Sequence, residues 1–269
     1  KNQYPKKWKD ILDIGNTRPP LALRVNVKNI GVKEYSEILE SHGVEHSLIG
    51  MEGVILKTPI GVDKIPGFLE GKVSVQDFGA QLAAHIIDLE KSQKVLDACS
   101  APGGKACHMV ELKSIELLAI ESNKERTIKI QENISRLGLN AVIRNEKIGL
   151  VNEWWDKILF DRILLDVPCS ASGIVRRHVD IKWLRRINDF ESFGESQLEL
   201  LRSSWPMLKN KGKLLYVTCS IFEEENREVI EKFKKDSKNI TELDIIFPSN
   251  VEHIKNQVLP SKNHDGLFY

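Results

Sequence analysis

From about Glu90 onward the chain alternates short apolar runs with longer segments of helical spacing, and few folds accept that alternation. The runs are "KVLDACS" (94–100), "IELLAIES" (115–122), "AVIRN" (141–145), "FDRILLDVP" (160–168) and "GKLLYVTCS" (212–220). Most are apolar at successive positions, so both faces of each strand need cover, which suits a parallel sheet with helices on both sides. Between them, "NKERTIKIQENISRLGLN" (123–140) places Ile128, Ile130, Ile134 and Leu137 at a mostly helical spacing, with Gly138 suited to its C-terminal stop. Alternating strands and helices predict an α/β fold with right-handed crossovers. In such open sheets, ligands bind at the carboxyl ends of the strands. The spacing Ser220-x-x-Glu223 reads as a capping box, so a helix is expected to start at Ser220, directly after Cys219.

The first quarter reads differently. "ALRVNV" (22–27) suits a strand and "KEYSEILESHG" (33–43) a helix stopped by Gly43, while "EHSLIG" and "GVILKT" suit short strands. The Pro/Gly-punctuated "TPIGVDKIPGFLEG" (58–71) leads into "VSVQDFGAQLAAHIIDL", read as a linker helix. The expected division is a small α+β unit over residues 1–72 and an α/β domain over 73–269. No repeat or low-complexity segment interrupts it. Hydrophobic content of 41% and charged content of 29% are those of an ordinary globular chain. No apolar run approaches the ~20 residues of a membrane span, and "KNQYPKKWKD" has no apolar core of a secretory signal. A cytoplasmic monomer is expected, and the start at Lys1 rather than Met suggests a fragment. Net charge is only +1, so any surface for an anionic polymer must be local.

The candidate chemistry sits at the strand ends. "LDACSAPGGKACHMV" (96–110) is a strand, a tight turn through Pro102, Gly103 and Gly104, then a helix. Glycines there let backbone approach a ligand, and the helix N-terminus favours a carboxylate or phosphate; an ordinary βα turn is the competing reading. Without G-x-G-x-x-G, a dinucleotide site is not indicated. Glu121 ends the second strand, where an acid commonly takes ribose hydroxyls. In "DVPCSASG", Asp166 follows a run that would bury it, and buried charge needs a reason. Cys169 lies three positions on, and Cys219 ends an equivalent strand. Neither Cys99, Cys107, Cys169 nor Cys219 forms a C-x-x-C pair, so reduced thiols and no metal are expected. A lone cysteine is usually packing, but two at equivalent strand ends, one beside an acid, point to chemistry. A thiol at a helix N-terminus favours its thiolate, so Cys219 reads as the more nucleophilic. "GIVRRHVDIKWLRR" (173–186) sets Arg176, Arg177, Lys182, Arg185 and Arg186 around Trp183, either a solvated helix face or a phosphate-binding wall beside the thiols.

Together "DACSAPGGKACH", "DRILLDVPCSASGIVRRHVDIKWLRR", "YVTCSIFEEEN" and "NQVLPSKNHDGLFY" resemble the RNA cytosine-5 methyltransferases, most of all the bacterial Sun/Fmu (RsmB) branch that modifies 16S ribosomal RNA. The resemblance runs from "TRPPLALRVN" onward. It implies a Rossmann-like α/β methyltransferase sheet behind a small α+β, RNA-binding-like unit, with S-adenosyl-L-methionine as cofactor and an unpaired or flipped cytosine as target. It places the cofactor's methionine part on the turn of Cys99, Ser100, Ala101, Pro102, Gly103, Gly104 and Lys105, and its ribose on Glu121. Asp166 falls between cofactor and base, Cys219 in the role of nucleophile, and Cys169 in product release. Lys147, beside Glu146, stands where the family has an Asp on the adenine side. The branch usually carries an N-terminal helical RNA-binding domain and a longer last strand, so a catalytic core cut at both ends is expected. A DNA-type enzyme attacking through Cys169, or a non-catalytic RNA-binding assembly factor, are the competing readings.

Overall fold

The computed structural model describes residues 1–269. After helix α1 (Trp8–Ile14) come strand β1 (Leu21–Val25), helix α2 (Val32–Ser41) and strands β2 (His46–Ile49), β3 (Gly53–Leu56) and β4 (Val73–Val75). They form an antiparallel sheet in the order β2-β3-β1-β4. Tyr35 and Leu39, four apart and so on one helix face, bring α2 down onto Leu23, Val25, Val54 and Val73. The division expected at residue 72 therefore falls just before a strand that completes the first sheet. Nor is "VSVQDFGAQLAAHIIDL" one helix: α3 (Phe78–Ile86) starts only after Asp77, whose side chain accepts the Gly79 amide at 2.9 Å.

The second unit holds β5 (Lys94–Asp97), α4 (Gly104–Leu112), β6 (Glu116–Ile120), α5 (Lys124–Arg136), β7 (Val142–Arg144), α6 (Val151–Trp154), β8 (Phe160–Asp166), α7 (Ile181–Leu184), α8 (Ile187–Ser204), β9 (Leu208–Val217) and α9 (Arg227–Asp236). The five strands are parallel in the order β7-β6-β5-β8-β9, so the chain reverses its direction of travel between β5 and β8. Val95 and Leu96, Leu164 and Leu165, and Val217 and Tyr216 fall alternately into separate cores on the two faces, which is why the strands read as unbroken apolar runs. Short antiparallel strands β10 (His253–Ile254), β11 (Gln257–Val258) and β12 (Leu267–Phe268) follow, and Phe268 bridges to Thr218 just beyond β9.

The expected helix at Ser220 is absent. The chain makes a 3-10 turn over Glu223–Glu225 and α9 begins at Arg227: the Ser220 amide that Glu223 would cap is given to Thr218 Oγ1 at 3.2 Å, and the Ser220 hydroxyl donates to the buried Glu225 carboxylate at 2.5 Å. The two units are locked by Arg24 of β1, fully buried, whose guanidinium is held by Glu111 of α4 at 2.7 and 2.8 Å and donates to the Gly104 carbonyl at 2.7 Å. No helix is long and apolar enough to cross a membrane.

Candidate active site

The carboxyl ends of β5, β6, β8 and β9 open into one cleft of about 850 Å³, the size of a small-molecule or cofactor site. It lies at the switch point between β5 and β8, where this topology places ligands. Glu121, Asp166, Cys169, Cys219, Cys99 and Lys147 all border it.

Of the glycine-rich turn, Cys99 and Ala101 line the cleft, while Ser100, Pro102, Gly103, Gly104 and Lys105 lie behind them. Gly103 sits at φ +94, a conformation a side chain would strain, with a Cβ there 3.2 Å from Ile130 of α5. Cys107, by contrast, is buried in the core. Lys105, in the first turn of α4, reaches across to Asp166 at 2.5 Å. Burial pulls the Lys105 ammonium down, but Asp166 outweighs it, so its pKa is raised and the charge is held. Asp97 lies beneath. One of its carboxylate oxygens accepts from Ser100 Oγ at 3.0 Å while the other, fully buried, has no partner. Burial, with Asp166 adding to it, pushes this carboxyl up to about 7.

Glu121 is buried at the end of β6 and accepts from the Asn123 amide at 2.9 Å, with Arg126 at 3.6 Å. Asn123 in turn caps α5. Lys147 and Glu146 lie in the loop after β7 and close the far side of the cleft. Residues of α8, among them Ser196 and Glu199, form the remaining wall.

The sulfurs of Cys169 and Cys219 are 3.3 Å apart. Their loops are tied by the serines that follow them. Ser170 gives its amide at 2.6 Å and its hydroxyl at 2.5 Å to Glu225, and Ser220 gives its hydroxyl at 2.5 Å to the same carboxylate. Gly173 completes the clamp: its amide donates to the Cys219 carbonyl at 2.8 Å, and a Cβ there would meet the Gly266 carbonyl oxygen at 2.2 Å. The thiolate expected from a helix N-terminus is not what this geometry favours. The hydrogen bond with Cys169 and burial, with the charges of Cys169 and Asp166 added, raise the Cys219 pKa well above the ordinary thiol value, and only Lys105 works the other way.

The basic string divides. Arg176 is buried and bound to Asp265 at 2.6 Å and to the Ser261 carbonyl at 2.9 Å, so it does not face a polymer. Arg177 bridges Asp265 and Asp77. Arg176 thus anchors the C-terminal segment and Arg177 links that segment to the cap of α3, a correction to the wall expected of them. Lys182, Arg185 and Arg186 are exposed beside Trp183, which is 84% exposed, and Arg185 donates to the Ser170 carbonyl at 3.0 Å, next to the thiol. Sequence reasoning missed Asp97, Glu225 and α8. The serine after each thiol and the acid cluster that follows Cys219 were visible signals for the clamp.

A parallel sheet of this order, with a cofactor-sized cleft at its switch point and an acid at the next strand end, is a Rossmann-like arrangement, the fold shared by methyltransferases. The family model "16S rRNA methyltransferase RsmB/F" matches residues 84–269, and the "Methyltr_RsmF/B-like, ferredoxin-like domain" matches residues 1–63. The chain belongs to the RsmB/F family of methyltransferases. It is 39% identical to ribosomal RNA small subunit methyltransferase B of Pseudomonas syringae pv. tomato over 100% of its own length and 62% of that protein's. For the Shewanella oneidensis protein of that name the figures are 39%, 100% and 64%. The chain thus spans less than two thirds of these relatives. Among solved structures, a methyltransferase homolog protein from Pyrococcus horikoshii superposes with a TM-score of 0.85 at 25% identity, covering 98% of this chain and 90% of that one. NSun6 from the same organism, solved with SFG, shares the fold at a TM-score of 0.85 and 18% identity, covering 99% and 94%.

Proposed function

We propose that this chain carries the catalytic part of an enzyme that methylates carbon 5 of an unpaired or flipped cytosine in 16S ribosomal RNA, using S-adenosyl-L-methionine. The observation that carries the reading is the pair of thiols 3.3 Å apart beside the Lys105–Asp166 pair, on the rim of one cofactor-sized cleft. The names of the relatives support the RNA substrate.

The cleft fits such a cofactor. The Cys99–Lys105 turn offers close backbone approach to the methionine part, the buried Glu121 carboxylate suits ribose hydroxyls, and Lys147 lies on the adenine side, where its cation replaces an acid. When bound, the cofactor supplies an activated methyl group. Carbon 5 of cytosine is a poor nucleophile, so the chain's part is to make it a better one. As the Cys219 sulfur adds to carbon 6, its proton passes through the Asp166 carboxylate to ring nitrogen 3, which turns the ring into an enamine; this is covalent catalysis. Asp166 meets ring nitrogen 3 as charge develops there, held by its hydrogen bond from Lys105. After transfer, the Cys169 sulfur, as thiolate, takes the proton from carbon 5, the C5–C6 double bond re-forms, and the C6–S electron pair returns to Cys219. The exposed Lys182, Arg185, Arg186 and Trp183 suit backbone phosphates and a stacked base at the mouth. The antiparallel unit, with its boundary near residue 72, is assigned a share of the RNA grip.

The test is an adduct assay with cofactor and 16S RNA. Cys219→Ala should form neither 5-methylcytosine nor a covalent complex. Cys169→Ala should attack, methylate and stay attached, giving a shifted band on a denaturing gel. An adduct in Cys219→Ala and none in Cys169→Ala would reverse the roles. A chain that shows no calorimetric heat with millimolar cofactor would be the non-catalytic factor instead.

A further inference from the structure

We propose that Glu52, His85 and His108 form a binding site for one first-row divalent transition-metal ion at the seam between the two units. Glu52 lies in the turn between β2 and β3, His85 in the last turn of α3 and His108 in the middle of α4. One ligand atom from each lies within 4.8 Å of the others. His85 Nε2 is 2.9 Å and His108 Nε2 3.9 Å from the same Glu52 oxygen. Four-coordinate zinc with bonds of about 2.0–2.2 Å has ligand–ligand edges of about 3.4 Å, and the two observed separations lie on either side of it. Side-chain adjustments of under about an ångström would complete the site.

A second, independent observation points to a ligand. His108 is 1% exposed, yet neither ring nitrogen has a protein partner. Buried polar groups of this kind are nearly always satisfied, and an ion takes the imidazole lone pair that here goes unused. The Arg24 charge also acts on this ring. The Arg24 charge is already matched by Glu111, which weakens its repulsion of a cation. His85 is partly exposed and leaves a path for a water as fourth ligand. Two imidazoles and one carboxylate suit zinc and its neighbours rather than calcium or magnesium. The sequence contains no motif for this site, because its ligands come from three separate elements.

The ion acts as a staple: it ties the antiparallel unit to α4, the helix that opens at the glycine-rich turn, and no step of methyl transfer runs through it. The whole chain, stripped with a chelator, is titrated with Zn2+ in competition with a chromogenic chelator and separately loaded with Co2+. One ion per chain, a higher melting temperature with Zn2+, and a visible Co2+ spectrum of nitrogen and oxygen ligands are expected. His85→Gln, at a partly exposed position that tolerates change, should weaken binding at least about tenfold and remove the thermal shift. His108→Gln should do the same. An intense near-ultraviolet cobalt–thiolate band, which would put the ion on the cysteines, or His85→Gln binding as tightly as the parent chain, overturns the site, as does a titration with no ion bound.

Discussion

At the scale of single residues, the Cys219 thiol is held in check by its neighbour. The hydrogen bond with Cys169 and burial raise the Cys219 pKa, so the neutral thiol is the resting form and its reactivity should grow as pH rises past the ordinary thiol value of roughly 8.5. Removing Cys169 removes the largest cause of that shift. In Cys169→Ala, the pH midpoint for alkylation of Cys219 by iodoacetamide should therefore move down; a midpoint that stays or rises would mean burial alone sets it. Glu225 is the other residue whose role is local. It is fully buried and touches no substrate, but it accepts from both loops that carry the thiols. Glu225→Gln keeps the shape and turns an acceptor toward two hydroxyls into a donor. Misplacing a reacting group by an ångström costs on the order of 10²-fold, so kcat should fall by about that factor while cofactor affinity is unchanged. Equal losses in kcat and cofactor binding would make Glu225 a general folding residue instead of a positioning one.

At the scale of elements, the inner parallel strands were legible because they must be apolar on both faces, and the turn after β5 because glycine accepts the conformation at Gly103 that a side chain would strain. What was hidden depends on partners far along the chain. Arg176 and Arg185 look alike in the basic string, but Arg176 meets Asp265, 89 positions away, and is buried by it, whereas Arg185 stays at the surface next to Ser170. The helix expected at Ser220 failed for a related reason: the Ser220 amide is given to Thr218 and its hydroxyl donates to Glu225, so the reciprocal pair with Glu223 does not form. The division of the basic string gives a prediction at this scale. Replacing Lys182, Arg185 and Arg186 by Ala together should reduce the salt slope of RNA binding by about 2–3 and weaken all sequences alike, if each contacts a phosphate. Arg176→Ala should leave the slope unchanged and lower the melting temperature, since it strips a buried partner from Asp265. A loss of slope in Arg176→Ala with full stability would return that residue to the RNA surface.

At the scale of the whole molecule, a buried guanidinium ties the antiparallel unit to the start of α4 in the parallel-sheet unit. Arg24 of the first unit has no exposed surface, is bidentate to Glu111 of α4 and also donates to the carbonyl of Gly104, where α4 begins. The first unit therefore supports the helix on which the glycine-rich turn ends, and the two units share one mechanical fate. Glu111→Gln leaves the guanidinium buried with its charge uncompensated, which in buried pairs costs about 3–5 kcal/mol. That is a large part of a typical stability of about 5–15 kcal/mol. The denaturation midpoint should drop accordingly, and the cofactor should bind more weakly as the start of α4 loosens. Changing both partners to apolar residues of similar volume, Arg24→Met with Glu111→Leu, removes the stranded charge and should recover most of the stability. It should not recover cofactor affinity, because the donor to the Gly104 carbonyl is gone. If Glu111→Gln unfolds within about 1 kcal/mol of the parent chain, water reaches Arg24 and the seam is looser than its burial implies; if the double variant binds cofactor as the parent does, the first unit holds α4 by packing alone.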